Sequence, residues 1–179
     1  MRIIRAFSLG VLLALGIFAL IALMLPSKYE LEQSVLIAAP ATEVFDQINE
    51  LRNWDHWAFV NTENDQRLAV NYTGPSKGVG CRMTWQLEDG SVSHLEVVKA
   101  MPPISVEVRL VTNDGAFVSD GAFTIEEGAG QTLVKWKETG DFGFNLFARF
   151  IASVGGFKEE MSKNYQQALS VLKQYCEKQ

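Results

Sequence analysis

Residues 78–100 read GVGCRMTWQLEDGSVSHLEVVKA, two segments that alternate between apolar and polar residues on either side of Asp89-Gly90. Alternation with a period of two is typical of a strand with one buried face, and Asp-Gly between two such segments favours a tight hairpin turn. A two-residue turn would place Trp85 opposite His94 on one side of the sheet. The stretch therefore predicts an antiparallel hairpin and its register.

The register predicts which side chains face the core. Met83 and Trp85 are too apolar for solvent, so we expect their side of the sheet to be concave. Glu96, opposite Met83, and His94 would then point inward as well. The same face continues in the later strands through Val106, Val108, Leu110, Phe123, Ile125, Val134, Trp136 and Glu138. A slip of one residue at the turn would reverse the assignment and bury Leu95 and Val97 instead.

A buried carboxylate without a partner costs several kcal/mol, so Glu96 needs a partner, a wet cavity or a raised pKa. His94, two residues away on the same face, is the obvious partner. The alternative is that both side chains lie near the end of the sheet and contact water.

Further period-two segments flank the hairpin. They are residues 65–73, 104–112, 116–126 and 131–139, and they are separated by turn residues such as Gly74-Pro75, Pro102-Pro103 and Asp114-Gly115. With the two strands of the hairpin, these segments predict a six-stranded antiparallel meander.

Helical and strand signals surround the meander. Residues 29–38 predict a first strand, residues 40–48 have helical spacing, and residues 52–57 suit a second short helix. Residues 145–178 form a long amphipathic pattern, which predicts a C-terminal helix with one apolar face. Two successive glycines at 155 and 156 interrupt it, so we expect a kink or joint there.

The amino-terminal segment has the properties of a membrane span. Residues 6–25 contain no charge, and about 20 apolar residues cross a bilayer core of about 30 Å. A cleaved signal peptide is the alternative because Arg2 and Arg5 precede the run, but a small-x-small cleavage site is missing. We therefore expect a transmembrane anchor at residues 1–26 and one domain at residues 27–179.

The charges near the span predict its orientation. Arg2 and Arg5 lie before it, whereas Lys28 is the basic residue close behind it. Basic residues stay preferentially on the cytoplasmic side. We expect a single-pass protein with a cytoplasmic amino terminus and a domain that faces outward, which in a bacterium means the periplasm.

Composition argues against several partners and sites. Without the two arginines of the anchor, 14 basic residues stand against 21 acidic ones, a net charge of −7. Such a surface repels nucleic acid and anionic lipid. With His56 and His94 as the only histidines, we predict no metal site and no cofactor. Cys81 and Cys176 are expected to be independent thiols.

The order strand, two helices, six strands and long helix, together with local motifs, resembles the helix-grip fold of the START-like (SRPBCC) superfamily, in particular its polyketide cyclase/dehydrase-type branch. The motifs are Ile37–Phe45 (IAAPATEVF), Trp54–Trp57 (WDHW), Val97–Pro103 (VVKAMPP), Gly121–Ile125 (GAFTI), Thr132–Trp136 (TLVKW) and Ala168–Lys173 (ALSVLK). The resemblance covers nearly all of residues 29–175. It implies an α+β fold with a seven-stranded antiparallel sheet wrapped around the C-terminal helix and a mostly apolar cavity between them. It implies no particular reaction, because the superfamily mixes lipid carriers, cyclases and dehydrases.

These inferences give a set of candidate ligand-binding residues and no catalytic assignment. The candidates are Trp57, Met83, Trp85, His94, Glu96, Val108, Phe123, Trp136, Glu138, Phe150 and Val154. Trp57, with Trp54, has the alternative of packing in the core under the helix pair.

Three functions stay open at this point. The first is a membrane-anchored module that binds a hydrophobic small molecule or lipid, and it is preferred over an enzyme. The second is a cyclase or dehydrase in which His94 and Glu96 share acid and base roles. The third is a protein-interaction domain. The ligand and the oligomeric state are not predicted.

Overall fold

The computed structural model describes residues 2–58 and 68–178. Its helices are α1 (Arg2–Met24), α2 (Ala41–Asn49), α3 (Leu146–Val154) and α4 (Phe157–Cys176), and a 3₁₀ helix (Leu51–His56) follows α2. Its strands are β1 (Lys28–Ile37), β2 (Leu68–Thr73), β3 (Arg82–Gln86), β4 (Val92–Met101), β5 (Ser105–Thr112), β6 (Phe117–Gly128) and β7 (Gln131–Asp141). Residues 65–67, the start of the first predicted meander strand, lie outside the described residues.

The seven strands form one antiparallel sheet in the order β1-β7-β6-β5-β4-β3-β2. β1 pairs with β7, whereas every other described pair joins strands that follow each other in the chain. The sheet curves around α4, whose buried residues Leu169 and Leu172 contribute about 1.5–3 kcal/mol each through burial of apolar surface. The predicted α+β helix-grip fold is confirmed.

The hairpin at Asp89-Gly90 has a different register from the predicted one. His94 pairs with Thr84, and Glu96 pairs with Arg82. The Leu87 N–H donates to Ser91 O and the Gly90 N–H donates to Leu87 O, each at 2.9 Å. The loop therefore contains three residues, with Gly90 in the left-handed region at φ 87°. A two-residue type I′ turn would need positive φ at the aspartate too, whereas this loop requires it of the glycine.

This shift moves the side chains of β4 before the bulge at Val97 to the opposite face. Ser93, Leu95 and Val97 are buried, whereas His94 and Glu96 are only half-buried and lie on the outer face. The prediction that His94 and Glu96 face the interior is wrong, and the slipped register named above is the one observed.

The C-terminal helical segment is interrupted where two glycines were expected to break it. α3 ends as the Gly155 N–H donates to Ile151 O at 2.7 Å, and Gly156, before α4, is left-handed at φ 69°. A side chain is rarely tolerated in that conformation, which explains why glycine suits the joint.

The amino-terminal helix α1 is apolar and long. Its window Phe7–Met24 has a mean hydropathy of 2.6, and its length and composition suit a membrane span. Near its end it contacts α3, since the rings of Phe18 and Phe150 meet edge to face with centroids 5.3 Å apart. α1 and α3 therefore lie side by side at the same end of the sheet as Lys28 and Asp141.

Candidate functional site

Aromatic side chains, among them the predicted site residues Trp57, Phe123 and Trp136, contact one another on the concave side of the sheet. Ring centroids lie 6.2 Å apart between Trp57 and Phe123, 4.8 Å between Phe123 and Trp136, and 4.2 Å between Trp136 and Tyr165. The rings of Trp54 and Trp57 are tilted by 50° with centroids 4.7 Å apart. Trp57 is fully buried in this aromatic cluster, so its core alternative is the one observed.

A buried carboxyl group adjoins the aromatic cluster. Glu138 on β7 is 4% exposed, and the side chains of Ser119, Trp136 and Tyr165 approach it as donors. Among the described residues, neither Ser119 Oγ nor Trp136 Nε1 reaches a partner at full hydrogen-bonding geometry. We call Tyr29, Ser119, Trp136, Glu138 and Tyr165 the polar cluster. Ser119 and Trp136 are therefore directed at Glu138 without reaching full hydrogen-bonding geometry.

Two glycines make room for the polar cluster. A Cβ at Gly121, which pairs with Glu138, would lie 3.0 Å from Glu138 Oε2 and 3.3 Å from Trp136 Nε1. A Cβ at Gly140, which pairs with Tyr29, would lie 2.7 Å from Tyr29 Cζ. Glycine within a strand often marks close approach of another group. Here the carboxyl group and the phenol ring occupy the space that side chains would fill.

Burial determines the protonation of the polar cluster. It raises the pKa of Glu138, and the donors from Ser119, Trp136 and Tyr165 offset part of the rise. Burial and the nearby Glu138 raise the pKa of the Tyr29 and Tyr165 hydroxyls as well. A carboxyl group that keeps its proton to higher pH can donate a hydrogen bond or a proton to a bound molecule.

A groove of about 250 Å³ lies where the segment after α1, the start of β1 and the α3–α4 joint meet. We call it the Tyr29 groove. It is lined by Pro26, Lys28, Tyr29, Phe142, Ala152, Ser153, Phe157, Lys158 and Glu159. Tyr29 belongs to both the groove and the polar cluster, and its ring contacts Phe142 and Phe157 at centroid distances of 5.5 and 5.1 Å. The buried Tyr29 side chain thus lies between the groove and Glu138.

The predicted site residues fall into three groups. Trp57, Met83, Trp85, Val108, Phe123, Trp136 and Glu138 are buried on the concave side. Phe150 and Val154 lie on α3, outside that interior, and Val154 is exposed. His94 and Glu96 lie on the outer face of the sheet, away from the concave side and from α3.

The outer face carries ion pairs between strands. The Arg82 guanidinium binds the Glu96 carboxylate, and Arg109 Nε donates to Asp120 Oδ1 at 2.7 Å. Partial burial and the Arg82 charge lower the pKa of His94, and Glu96 opposes this change. Glu96 therefore has its partner on the neighbouring strand, and the predicted His94–Glu96 acid–base pair is not part of the interior.

Three members of the polar cluster were missed by reasoning from the sequence. Tyr29 lies at the start of β1, Ser119 in β6 and Tyr165 in α4, so only the tertiary fold brings them to Glu138. A signal was present in the glycines of β6 and β7, because Gly121 and Gly140 interrupt otherwise well-formed strands.

Comparisons with known proteins agree on the fold. The family described as polyketide cyclase/dehydrase and lipid transport matches residues 28–177. No curated protein matches the chain.

Solved structures share the architecture at low sequence identity. DynU16 from the dynemicin biosynthetic locus is 16% identical with a TM-score of 0.56, over 82% of this chain and 46% of DynU16. BexL, a di-domain ARO/CYC from the BE-7585A biosynthetic pathway, is 21% identical with a TM-score of 0.56, over 98% of this chain and 59% of BexL. The hypothetical protein jhp0584 from Helicobacter pylori is 11% identical with a TM-score of 0.60, over 83% of this chain and 88% of jhp0584.

The chain spans about half the length of DynU16 and of BexL, and at these identities the likeness shows the fold alone. The family match extends over almost the whole sheet and α4. By that match, the chain belongs to the polyketide cyclase/dehydrase and lipid transport family.

Proposed function

We propose that the protein is a membrane-anchored binding module for a hydrophobic small molecule or lipid, with residues 1–26 as the anchor and residues 27–179 as the domain. The observation that carries the proposal is the Tyr29 groove, which begins at Pro26 beside the proposed anchor and reaches Tyr29 next to Glu138. The family description, which includes lipid transport, supports a ligand of this class.

The groove suggests how such a ligand would be held. Its apolar part would lie against Phe142 and Phe157, and its polar end would meet Tyr29 and Glu138. A ligand would pass from the groove to the aromatic cluster by a movement of α3 relative to α4, for which the glycine joint at 155 and 156 offers a hinge. Trp85 and Trp136 would then contact the ligand in the interior.

The proposal includes the orientation of the anchor. With Arg2 and Arg5 before the span and Lys28 after it, the domain faces outward and the groove opens at the outer surface of the membrane. A ligand from the outer leaflet could reach the groove without crossing water.

Photocrosslinking in nanodiscs tests ligand binding in the full-length protein. A fatty acid that carries a diazirine is added, irradiated and located by mass spectrometry of the peptides. We expect cross-links on the peptides that contain Phe142 and Phe157, and fewer of them in Ala152→Trp, which fills the groove.

The control fills a different groove on the same helical segment. Gln174 lines a groove of about 380 Å³ together with His56 and Tyr175. Gln174→Trp should leave the cross-links at Phe142 and Phe157 unchanged. Cross-links confined to α1, or equal yields in the two variants, would reject the groove as the binding site.

A second candidate is an enzyme of the cyclase or dehydrase type that uses Glu138. The burial of this carboxyl group among aromatic rings and its raised pKa favour acid catalysis on an apolar substrate. Mass spectrometry of molecules that co-purify with wild type and with Glu138→Gln separates the two functions. The binding module predicts the same molecule in both samples, whereas the enzyme predicts a precursor that accumulates in the variant.

A further inference from the structure

Helix α3 and Phe144, which lies two positions before it, carry large apolar side chains that are exposed. They are Phe144, Phe147, Ile151 and Val154, which are 88, 67, 48 and 63% exposed. The last three are spaced four and three residues apart, so they share one side of the helix. We call these four residues the α3 apolar face. A contiguous apolar surface of this kind indicates a partner that is itself apolar.

The α3 apolar face adjoins the contact between α3 and α1. Phe150 meets Phe18 of α1 with ring centroids 5.3 Å apart. Phe147 lies three residues before Phe150 and Val154 four residues after it, so both lie on the side of α3 that is directed to α1. The exposed surface of α1 and the α3 apolar face are therefore continuous.

The position of the Phe18–Phe150 contact along α1 gives the depth of α3 in a membrane that α1 would cross. Phe18 lies six residues before the end of α1 at Met24, which is about 9 Å at the rise of an α-helix. Helices that lie in a membrane interface bury their apolar face about 5–10 Å into the boundary between head groups and acyl chains. If α1 spans the membrane, α3 is at this depth.

We propose that α3 lies in the membrane interface beside the anchor, with its apolar face in the lipid of the bilayer that α1 crosses. This inference rests on the membrane span in the proposed function. It adds a second membrane contact, which the domain itself makes. In this arrangement the α3 apolar face is covered by lipid.

The one charged residue of α3 is compatible with this position. Arg149 Nε donates to Gly143 O at 2.7 Å, and its guanidinium lies 5.9 Å from the centroid of Phe144. A long basic side chain at an interface keeps its stem in apolar surroundings and its charge among head groups.

The other side of α3 borders the Tyr29 groove through Ala152. Ala152 is two residues after Phe150, so the two side chains point in nearly opposite directions on the helix. α3 is then the wall between the groove and the lipid, and a ligand would pass from the bilayer into the groove at the edge of this helix.

Depth measurements on the full-length protein in phosphatidylcholine vesicles test the inference. Single cysteines at Phe147→Cys and Val154→Cys carry the environment-sensitive dye NBD, while the native Cys81 and Cys176 are buried. Leu13→Cys, within α1, reports whether the span is in the bilayer. Ile104→Cys, which is 55% exposed in the turn between β4 and β5 at the other end of the sheet, reports the aqueous side.

Dithionite in the bulk water reduces NBD, and a lipid with a spin label near the top of its acyl chain quenches it. We expect the dyes at 147 and 154 to be reduced several-fold more slowly than the dye at 104, and to be quenched strongly by the spin-labelled lipid. The dye at 13 should be protected too.

The experiment distinguishes failure of the α3 position from failure of the membrane span. A protected dye at 13 with dyes at 147 and 154 that react as fast as the dye at 104 would overturn the interfacial position of α3 and leave the anchor intact. A fast reaction at 13 would reject the span and this inference with it. Because two positions in α3 are compared, a local defect in one variant does not decide the result.

Discussion

At position 138, a carboxyl group enclosed by aromatic rings makes the stability of the protein depend on pH. Burial raises the pKa of Glu138 in the folded state, so the folded chain binds this proton more tightly than the unfolded chain does. This contribution to the free energy of unfolding is fully present below the ordinary carboxyl pKa and is lost as the pH rises to the folded value.

We therefore expect Glu138→Gln to remove this part of the pH dependence. Relative to wild type, the variant should gain about 1.4 kcal/mol for each unit by which burial raises the pKa, once the pH exceeds that value. Chemical unfolding of both full-length proteins in detergent, from about pH 4 to about pH 8, measures the difference. A difference that stays constant over this range would contradict the expectation.

The glycine beneath Tyr29 gives a second prediction at the scale of single residues. In Gly140→Ala the new methyl group would lie 2.7 Å from Tyr29 Cζ. Such overpacking costs about 1–3 kcal/mol. Gly128→Ala is the matched control, because a Cβ at this end of β6 meets no atom within 4 Å of the described structure, and we expect a change below about 0.5 kcal/mol.

The free energy of unfolding of Gly140→Ala, measured in wild type and in a Tyr29→Leu protein, tests whether the Tyr29 ring causes the loss. If the Tyr29 ring is responsible, Gly140→Ala should cost less in a Tyr29→Leu protein than in wild type. An equal cost in both backgrounds would assign the effect to the strand and not to the ring.

The residues of the polar cluster show what the sequence could predict about a site. The inward direction of Trp136 and Glu138 follows from alternation along one strand, and both are buried as expected. Tyr29 and Tyr165 reach them only because β1 pairs with β7 and α4 lies across the sheet. Those relations join residues that are distant in sequence, and no local pattern contains them.

At the scale of secondary structure, the hairpin register can be tested by two neighbouring residues. Leu95 is buried in the core, and Glu96 on the opposite face binds Arg82. We expect Leu95→Ala to cost about 2–5 kcal/mol because it leaves a cavity. Glu96→Ala should cost less than about 1 kcal/mol, as is usual for ion pairs in contact with solvent.

Urea unfolding of the two variants measures these costs. The two-residue turn predicts the reverse order, with Glu96 in the interior and Leu95 in solvent. A larger loss for Glu96→Ala than for Leu95→Ala would therefore contradict the observed register.

The wrong register has a clear origin. Asp-Gly is compatible with a two-residue turn and with a three-residue loop that ends in a left-handed glycine. The residues of β4 held the information to choose, because Leu95 and Val97 are more apolar than His94 and Glu96. Comparing the two faces of the second strand would have selected the observed loop.

At the scale of the whole molecule, the fold was predictable because it depends on the order of the elements. One strand, two short helices, six strands and a long helix admit few packings that bury every apolar face. The contents of the interior were harder to predict. The space left inside the sheet depends on how far each aromatic ring extends across it. The rings of Trp57, Phe123 and Trp136 extend far enough to contact one another.

The same scale gives a prediction about attachment to the membrane. The net charge of −7 that remains without the two arginines of the proposed anchor offers no attraction to anionic lipid, so we expect attachment to depend on apolar contacts. Electrostatic binding weakens in salt, whereas a hydrophobic span does not. We expect the full-length protein to stay with the membrane in concentrated salt and in alkaline carbonate. Leu13→Arg with Gly16→Arg should release it, because each arginine at mid-span costs about 2.5–3.5 kcal/mol.

A partial release by salt alone would contradict this account and would indicate that charged groups carry part of the attachment. Loss of the protein from the membrane only when the α3 apolar face is also changed would have a different meaning. It would show that α1 and α3 share the attachment, as the continuity of their apolar surfaces at Phe18 and Phe150 suggests. Comparing the double arginine variant with one that adds Phe147→Ser and Val154→Ser therefore separates the contribution of the span from that of the interfacial helix.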